Sequence, residues 1–346
     1  MGFWLDIAAF ALKALLIVAA LGALVAVAAL AARGARRDGG GREDIEVRSL
    51  NERYERMRDE LEAEILDKKQ RRARAKAHRK REKAEAKAGA EKKRVYVLAF
   101  KGDVMATAVA QLAREIDAVL SVARPQTDEV VLRLQSPGGT VTGYGLATAE
   151  ISRLRARRIG VTVSVDQVAA SGGYMMACAA DRIVAAPFAL IGSIGVVAQA
   201  PNLHRLLKKN DIDYEELTAG EFKRTISILG EITPAGREHA LGKIEDIHAA
   251  FRSLVAERRP AADMARVANG DVWLASEALG LGLVDALSTG EDLLFGLKDE
   301  AWLYEVTAAV RKSMLQQVLG RLGFEDAAAL APLAALVRVL GGLRLG

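Results

Sequence analysis

The sequence contains one cysteine, Cys178, among 346 residues. No intrachain disulfide can form, so the fold must stand on packing. The four histidines (His78, His204, His239 and His248) have no metal-ligand spacing, and neither HExxH nor paired CxxC occurs. No metal site and no cofactor are therefore expected. G-x-S-x-G is also missing, which removes the usual elbow signature of a Ser–His–Asp hydrolase. Aromatics make up only 5% and do not interleave with basic residues. With no recognisable nucleic-acid module either, no nucleic-acid partner is expected.

What is present is unevenly placed. Hydrophobic residues make up 51% and charged residues 27%, in separate blocks, with a net charge of +5. Residues 14–32 (ALLIVAALGALVAVAALAA) run 19 positions without a charge. At ~1.5 Å per helical residue, that length spans roughly the hydrocarbon core of a bilayer. A cleaved signal peptide ending near Ala29-Leu30-Ala31 is the alternative. The run exceeds a usual h-region, however, and its basic n-region is thin. A retained transmembrane helix is the expectation, with membrane lipid as a partner. Arg33, Arg36, Arg37, Arg42 and Arg48 follow closely. The positive-inside rule places the rest of the chain in the cytoplasm, with the periplasm as the alternative.

Gly39-Gly40-Gly41 reads as a joint, giving an anchor segment 1–42. Residues 43–93 read as one long charged helix, a stalk. Val47, Leu50, Tyr54, Met57 and Leu61 alternate spacings of three and four, the seam of a short coiled coil. Beyond Ile65 the seam gives way to KKQRRARAKAHRKREKAEAKAGAEKKR, either a solvated helix or a surface for anionic headgroups.

From Val95 the texture changes. VYVLAF (95–100), EVVLRLQ (129–135), VTVSV (161–165), RIVAA (182–186) and IGVV (194–197) read as strands. Helical patterns cover roughly 107–122 and 142–157, and a small-residue helix starts at Ser171. This alternation predicts an α/β domain over 94–298 with a largely parallel sheet. Such sheets carry their chemistry in the loops at the carboxyl ends of the strands. Residues 299–346 form an unassigned C-terminal extension. Its apolar stretch 327–337 is too short to span a bilayer.

The chemistry concentrates in VAASGGYMMACAA (168–180). A serine at the start of a helix, beside glycines, exposes its hydroxyl and the neighbouring amides. Those amides lie at the positive end of the helix dipole, which favours a developing oxyanion. An ordinary N-cap serine explains Ser171 equally well when Ser-Gly-Gly is taken alone. A serine nucleophile needs a base. No histidine or carboxylate lies suitably near in sequence. Lys223, in AGEFKRTISILG (219–230), is flanked by Phe222, Ile226, Ile228 and Leu229. Burial in such surroundings would favour the neutral amine. Ser136-Pro137-Gly138-Gly139 closes a strand, and its glycines let the backbone approach a ligand. A tight turn is the plain alternative. Cys178 lies inside the small-residue helix and reads as a packing residue.

Four ordered blocks, LRLQSPGGTVTGYGLA (132–147), VDQVAASGGYMMACAADRIVAAPFALIGSIGVVAQ (165–199), TAGEFKRT (218–225) and GDVWLASEALGLGLVD (270–285), resemble the signal-peptide-peptidase-A-like serine peptidases. The resemblance runs from the apolar N-terminal segment to about residue 290. It implies a ClpP/crotonase-like domain of repeated ββα units and a Ser–Lys dyad. Ser171 matches the family's nucleophile and Lys223 its base. Gly139 and Gly172 match the oxyanion amides, and Ser193 the serine that orients the lysine. It further implies a bacterial inner-membrane homo-oligomer, a ring in which neighbouring subunits can share a site. Its substrates would be peptides or membrane proteins, such as signal-peptide remnants. Leu274 and Ala275 depart from the family pattern at a strand-to-helix corner. Two other readings remain: a non-catalytic membrane scaffold, and an acyl-CoA enzyme on the same fold. Neither predicts an activated serine.

Overall fold

The computed structural model describes residues 45–88 and 92–308. The expected transmembrane helix at 14–32 and the apolar stretch 327–337 lie outside the described residues. Among the described residues, no helix is long and apolar enough to cross a membrane.

The chain opens with β1 (Ile45–Ser49), α1 (Leu50–Ile65) and α2 (Lys68–Ala88). β2 (Lys93–Lys101), α3 (Val109–Val122), β3 (Glu129–Gln135), α4 (Val141–Ala156) and β4 (Gly160–Val165) then alternate. β5 (Val168–Ala170), α5 (Gly172–Cys178), β6 (Arg182–Ala185) and β7 (Leu190–Gly192) follow. Next come α6 (His204–Lys209), α7 (Pro234–Arg258), α8 (Met264–Val267) and β8 (Val272–Leu274). The described chain ends with α9 (Ala275–Gly280), β9 (Ala286–Leu287), α10 (Gly290–Leu297) and β10 (Ala301–Ala308).

Seven strands form one sheet in the order β1-β10-β2-β3-β4-β6-β9. Every pairing in it is parallel except β1 with β10, so the fold is α/β with a mixed sheet. β3 shows why its sequence forms a central strand. Val130, Val131, Leu132 and Leu134 are all buried, as a strand covered on both faces requires. α3 covers one face through Leu112, Ile116 and Val119, spaced three and four apart.

A second sheet, β5-β7-β8, stands beside the first. Ser136 bridges to Ala169, so the segment after β3 joins its edge. The chain thus makes the same step three times, from β3 to Ser136, from β4 to β5 and from β6 to β7. A helix follows directly after each of the first two steps.

Three expectations need correction. Residues 43–93 are not one helix. Their start is the edge strand β1, paired from Ile45↔Ala308 to Ser49↔Tyr304. The helical part breaks before Lys68, where Asp67 Oδ1 accepts the amides of Lys69 and Gln70, both at 2.8 Å. The seam residues do not act together either. Leu50 is buried, Tyr54 meets Phe295 edge-on, and Met57 and Leu61 are exposed. Asn51 fixes this first turn by donating to the carbonyls of Lys298 and Ala301 and accepting the Leu303 amide.

The boundaries at 93 and 298 cut through one sheet, because the compact unit runs from Ile45 to Ala308. Finally, IGVV (194–197) is not a strand. The strand is β7, just upstream, and Gly192 (φ 105°) and Ser193 (φ 52°) turn the chain out of the sheet.

Candidate active site

Ser171 directly follows β5. Its N–H donates to the Gly192 carbonyl at 2.8 Å, one residue beyond the β5–β7 pairing. Its backbone takes φ 52° and ψ −121°. A residue with a Cβ held there stores strain, typically ~1–3 kcal/mol. Ser171 stands at the N-cap of α5, yet its side chain makes no capping hydrogen bond. The capping role left open by the sequence is therefore not what its hydroxyl does.

The glycines around it are dictated by close contact. A Cβ on Gly172 would run into the Tyr144 ring, and one on Gly173 would press on the Ser136 carbonyl. A Cβ on Gly138 would lie 2.8 Å from both the Ser171 Cβ and the Gly172 nitrogen. Gly138 also has φ 91°, which favours glycine.

The 136–139 segment is tied to β5. The Ser136 N–H donates to the Val168 carbonyl (2.8 Å), and the Ala170 N–H donates to the Ser136 carbonyl (3.0 Å). Gly138 N–H donates to Ser136 Oγ at 3.1 Å. Gly139 is exposed and backs against Val104, whose carbonyl accepts the Thr140 N–H at 2.8 Å. Among the described residues, neither the Gly139 N–H nor the Gly172 N–H has a protein acceptor. For Gly172 this follows from its place at the start of a helix.

Ser193 leaves β7 as Ser171 leaves β5. It too has φ 52°, and its N–H donates to the Asp271 carbonyl at 2.6 Å. The structure thus gathers Ser171, Gly172 and Ser193 at the ends of neighbouring strands, with the 136–139 segment paired alongside.

Lys223 differs from the expectation of burial. It is exposed, in a stretch without helix or strand, and Phe222, Ile226 and Ile228 beside it are exposed as well. Apolar neighbours in sequence bury a side chain only when an element packs them against the core, and here none does. Among the described residues, its side chain makes no hydrogen bond or ion pair. Its neighbours are held. The Phe222 ring stacks on His239 with centroids 3.9 Å apart and planes within 3°. Arg224 pairs with Glu216 at 3.2 Å, and Glu216 also accepts from Tyr214 and Ser227.

Cys178 is fully buried, and burial pushes its thiol up to about 12. It packs and does not present a thiolate. The reading of the sequence missed Tyr144 and Gly138. Gly138 had a signal, since a glycine pair at a strand end leaves two candidates. Tyr144 had none beyond its place in the GYG of the first block.

Comparison with known proteins gives the class, a peptidase. Residues 2–151 match the N-terminal part of peptidase family S49, and residues 153–304 match peptidase family S49 itself. The chain is 45% identical over 296 residues to "Probable protease SohB" of Haemophilus influenzae, covering 82% of this chain and 83% of that protein. It is 48% identical over 226 residues to "Probable protease SohB" of Buchnera aphidicola subsp. Acyrthosiphon pisum, covering 65% and 67%. The chain belongs to peptidase family S49. Among solved structures, a mutant of a membrane-bound stomatin-specific protease is similar at 19% identity and TM-score 0.38, over 60% of this chain and 84% of that one. A ClpP1 mutant from Listeria monocytogenes is similar at 15% identity and TM-score 0.39, over 57% and 92%.

Proposed function

We propose that this chain is a membrane-anchored serine endopeptidase on a ClpP/crotonase-type domain. Ser171 is the nucleophile and Lys223 the general base. The observation that carries this reading is Ser171 itself. It is held in a left-handed conformation at a helix start, uncapped, with the unpaired Gly172 amide beside it and Gly138 against its Cβ.

Neutral Lys223 takes the Ser171 proton as Oγ attacks a peptide carbonyl. The amides of Gly139 and Gly172 receive the oxyanion, and Ser193 orients the lysine. The lysine then protonates the leaving amine, and water hydrolyses the acyl-enzyme. Losing one oxyanion donor typically costs ~10²–10³ in turnover.

A general base must be neutral, and removal from water favours the neutral form of an amine. A second copy supplies that. Val197, Leu206, Ile212, Leu217, Phe222 and Ile228 are all exposed along the stretch that carries Lys223. Their exposure is the basis for reading a homo-oligomeric ring, in which a neighbour covers them and Lys223 of one subunit serves Ser171 of the next. The apolar run 14–32 tethers the ring to the bacterial inner membrane. Substrates are then polypeptides in or near that membrane, signal-peptide remnants among them.

The test is labelling by a fluorophosphonate together with hydrolysis of an unstructured peptide. Ser171→Ala should lose both, and Lys223→Ala should lose hydrolysis. Co-assembling the two inactive variants should restore part of the activity, because some interfaces then pair an intact serine with an intact lysine. Near-normal hydrolysis by either single variant would overturn the dyad.

A further inference from the structure

Tyr144 touches both segments that carry the proposed oxyanion amides. It is fully buried on α4, and its ring lies where a Cβ on Gly172 would have to go. Its hydroxyl hydrogen-bonds the buried Ser136 Oγ and donates to the Asp103 carbonyl at 2.8 Å.

The protons fix the direction of this network. Tyr144 has one hydroxyl proton, and it goes to the Asp103 carbonyl. The Ser136 hydroxyl must therefore donate to Tyr144 Oη, which leaves its lone pairs facing the chain. One of them accepts the Gly138 N–H at 3.1 Å. Gly138 is thereby committed, and the next amide, that of Gly139, is left without a protein acceptor. With Tyr144 and Ser136 both buried, this direction gives each of the three donors an acceptor. Gly102 makes room for it, since a Cβ there would strike both Ser136 Oγ and the Tyr144 hydroxyl. The same network holds the far side of the oxyanion segment. Asp103 precedes Val104, whose carbonyl accepts the Thr140 amide at 2.8 Å.

We propose that Ser136 and Tyr144 are positioning residues for peptide hydrolysis. They assign the Gly138 amide to the protein and the Gly139 amide to the oxyanion, and the Tyr144 ring sets the Gly172 amide opposite. This rests on the reading of Ser171 as the nucleophile.

The test uses the full-length chain in detergent micelles, with Tyr144→Phe, Ser136→Ala and the double variant. Tyr144→Phe keeps the ring and removes the hydroxyl, and Ser136→Ala removes the acceptor. Each single variant should lower kcat about 10–100-fold, with KM within about threefold of wild type. Affinity for a peptide boronate, which places an oxygen in the oxyanion position, should fall by a similar factor. The double variant should be no slower than the slower single one, because both changes break the same network. If Tyr144→Phe does not fold, Ser136→Ala alone decides by the same readouts. Wild-type kcat and boronate affinity in the folded variants would overturn the proposal, as would losses confined to KM. Ser171→Ala separates the two claims. If it retains hydrolysis, the nucleophile reading fails. If it is inactive while both positioning variants remain fully active, only the positioning role fails.

Discussion

Ser171 and Ser193 leave adjacent parallel strands at the same level, each with φ 52°. The last register pair of β5 and β7 is Ala170↔Gly192, so the two serines are the next pair in line. Strands stand ~4.8 Å apart, so the two serines leave from neighbouring points at the carboxyl edge of the small sheet. Residues with a Cβ are costly in this conformation, and two side by side mark a place where the fold holds strain for a purpose.

Under the proposed dyad, in which Ser193 orients Lys223, Ser193→Ala should affect the proposed base more than Ser171. Fluorophosphonate labelling of Ser171 should persist, while kcat for peptide hydrolysis drops about tenfold. Wild-type kcat would take Ser193 out of the site.

Gly138→Ala adds a methyl group where the Ser171 Cβ and the Gly172 nitrogen already stand at 2.8 Å. It also places alanine at φ 91°. Both effects act on the backbone between the proposed oxyanion donor and the proposed nucleophile. Stability should fall by about 1–3 kcal/mol, and labelling of Ser171 should slow by at least about 100-fold. Thermal melting and labelling rate, measured on the same sample, check the two halves. An unchanged labelling rate would mean that the segment can shift without cost.

The segments that meet at the candidate site were legible because each sets small or polar residues at the end of an apolar run. Ser171 beside Gly172, and glycines after EVVLRLQ, stand out in any reading, and the strand EVVLRLQ itself falls at residues 129–135 in the structure. What was not legible depends on long-range pairing. β1 looks like the start of a charged helix until β10, more than 250 residues away in sequence, offers its edge. IGVV has the composition of a strand, but the φ values of Gly192 and Ser193 turn it out of the sheet. Tyr144 illustrates the same limit within the site. Tyr144 lies within a predicted helix, and only the fold shows that its hydroxyl reaches Ser136 and Asp103.

Away from the site, Arg259 and Asp285 hold α7 to the strand region. The buried guanidinium donates to both Asp285 oxygens (2.9 and 2.8 Å) and to the Gly282 carbonyl (3.0 Å). Burial alone would raise the Asp285 carboxyl, but Arg259 and the Ile183 amide outweigh it and hold it below its ordinary 3.8. A folded value below the unfolded one gives stability that is complete above the unfolded value. That stability is lost as pH falls through the folded value. Asp285→Asn removes the counter-charge of the Arg259 guanidinium and should cost about 1 kcal/mol near neutral pH, because the Asp285 carboxylate is itself partly open to solvent. The gap between variant and wild type should narrow as the medium is acidified below the ordinary carboxylate range. Urea melts at neutral and acid pH measure it, and a gap that does not change with pH would refute the ionic account.

Cys178 gives an independent readout of the same core. Its thiol is fully buried in α5, and burial pushes it up to about 12. Thiolate is the reactive form, so at about pH 8 the native chain should resist a disulfide reagent such as dithionitrobenzoate. Denaturant should release one fast-reacting thiol per chain, the number the sequence contains. α5 begins at Gly172, immediately after Ser171, so opening of this helix would expose the thiol and dismantle the proposed site together. Labelling of Cys178 should therefore track loss of hydrolysis as denaturant rises. Rapid labelling of a fully active enzyme would show that α5 opens without disturbing Ser171, which its packing against Tyr144 and Ser136 argues against.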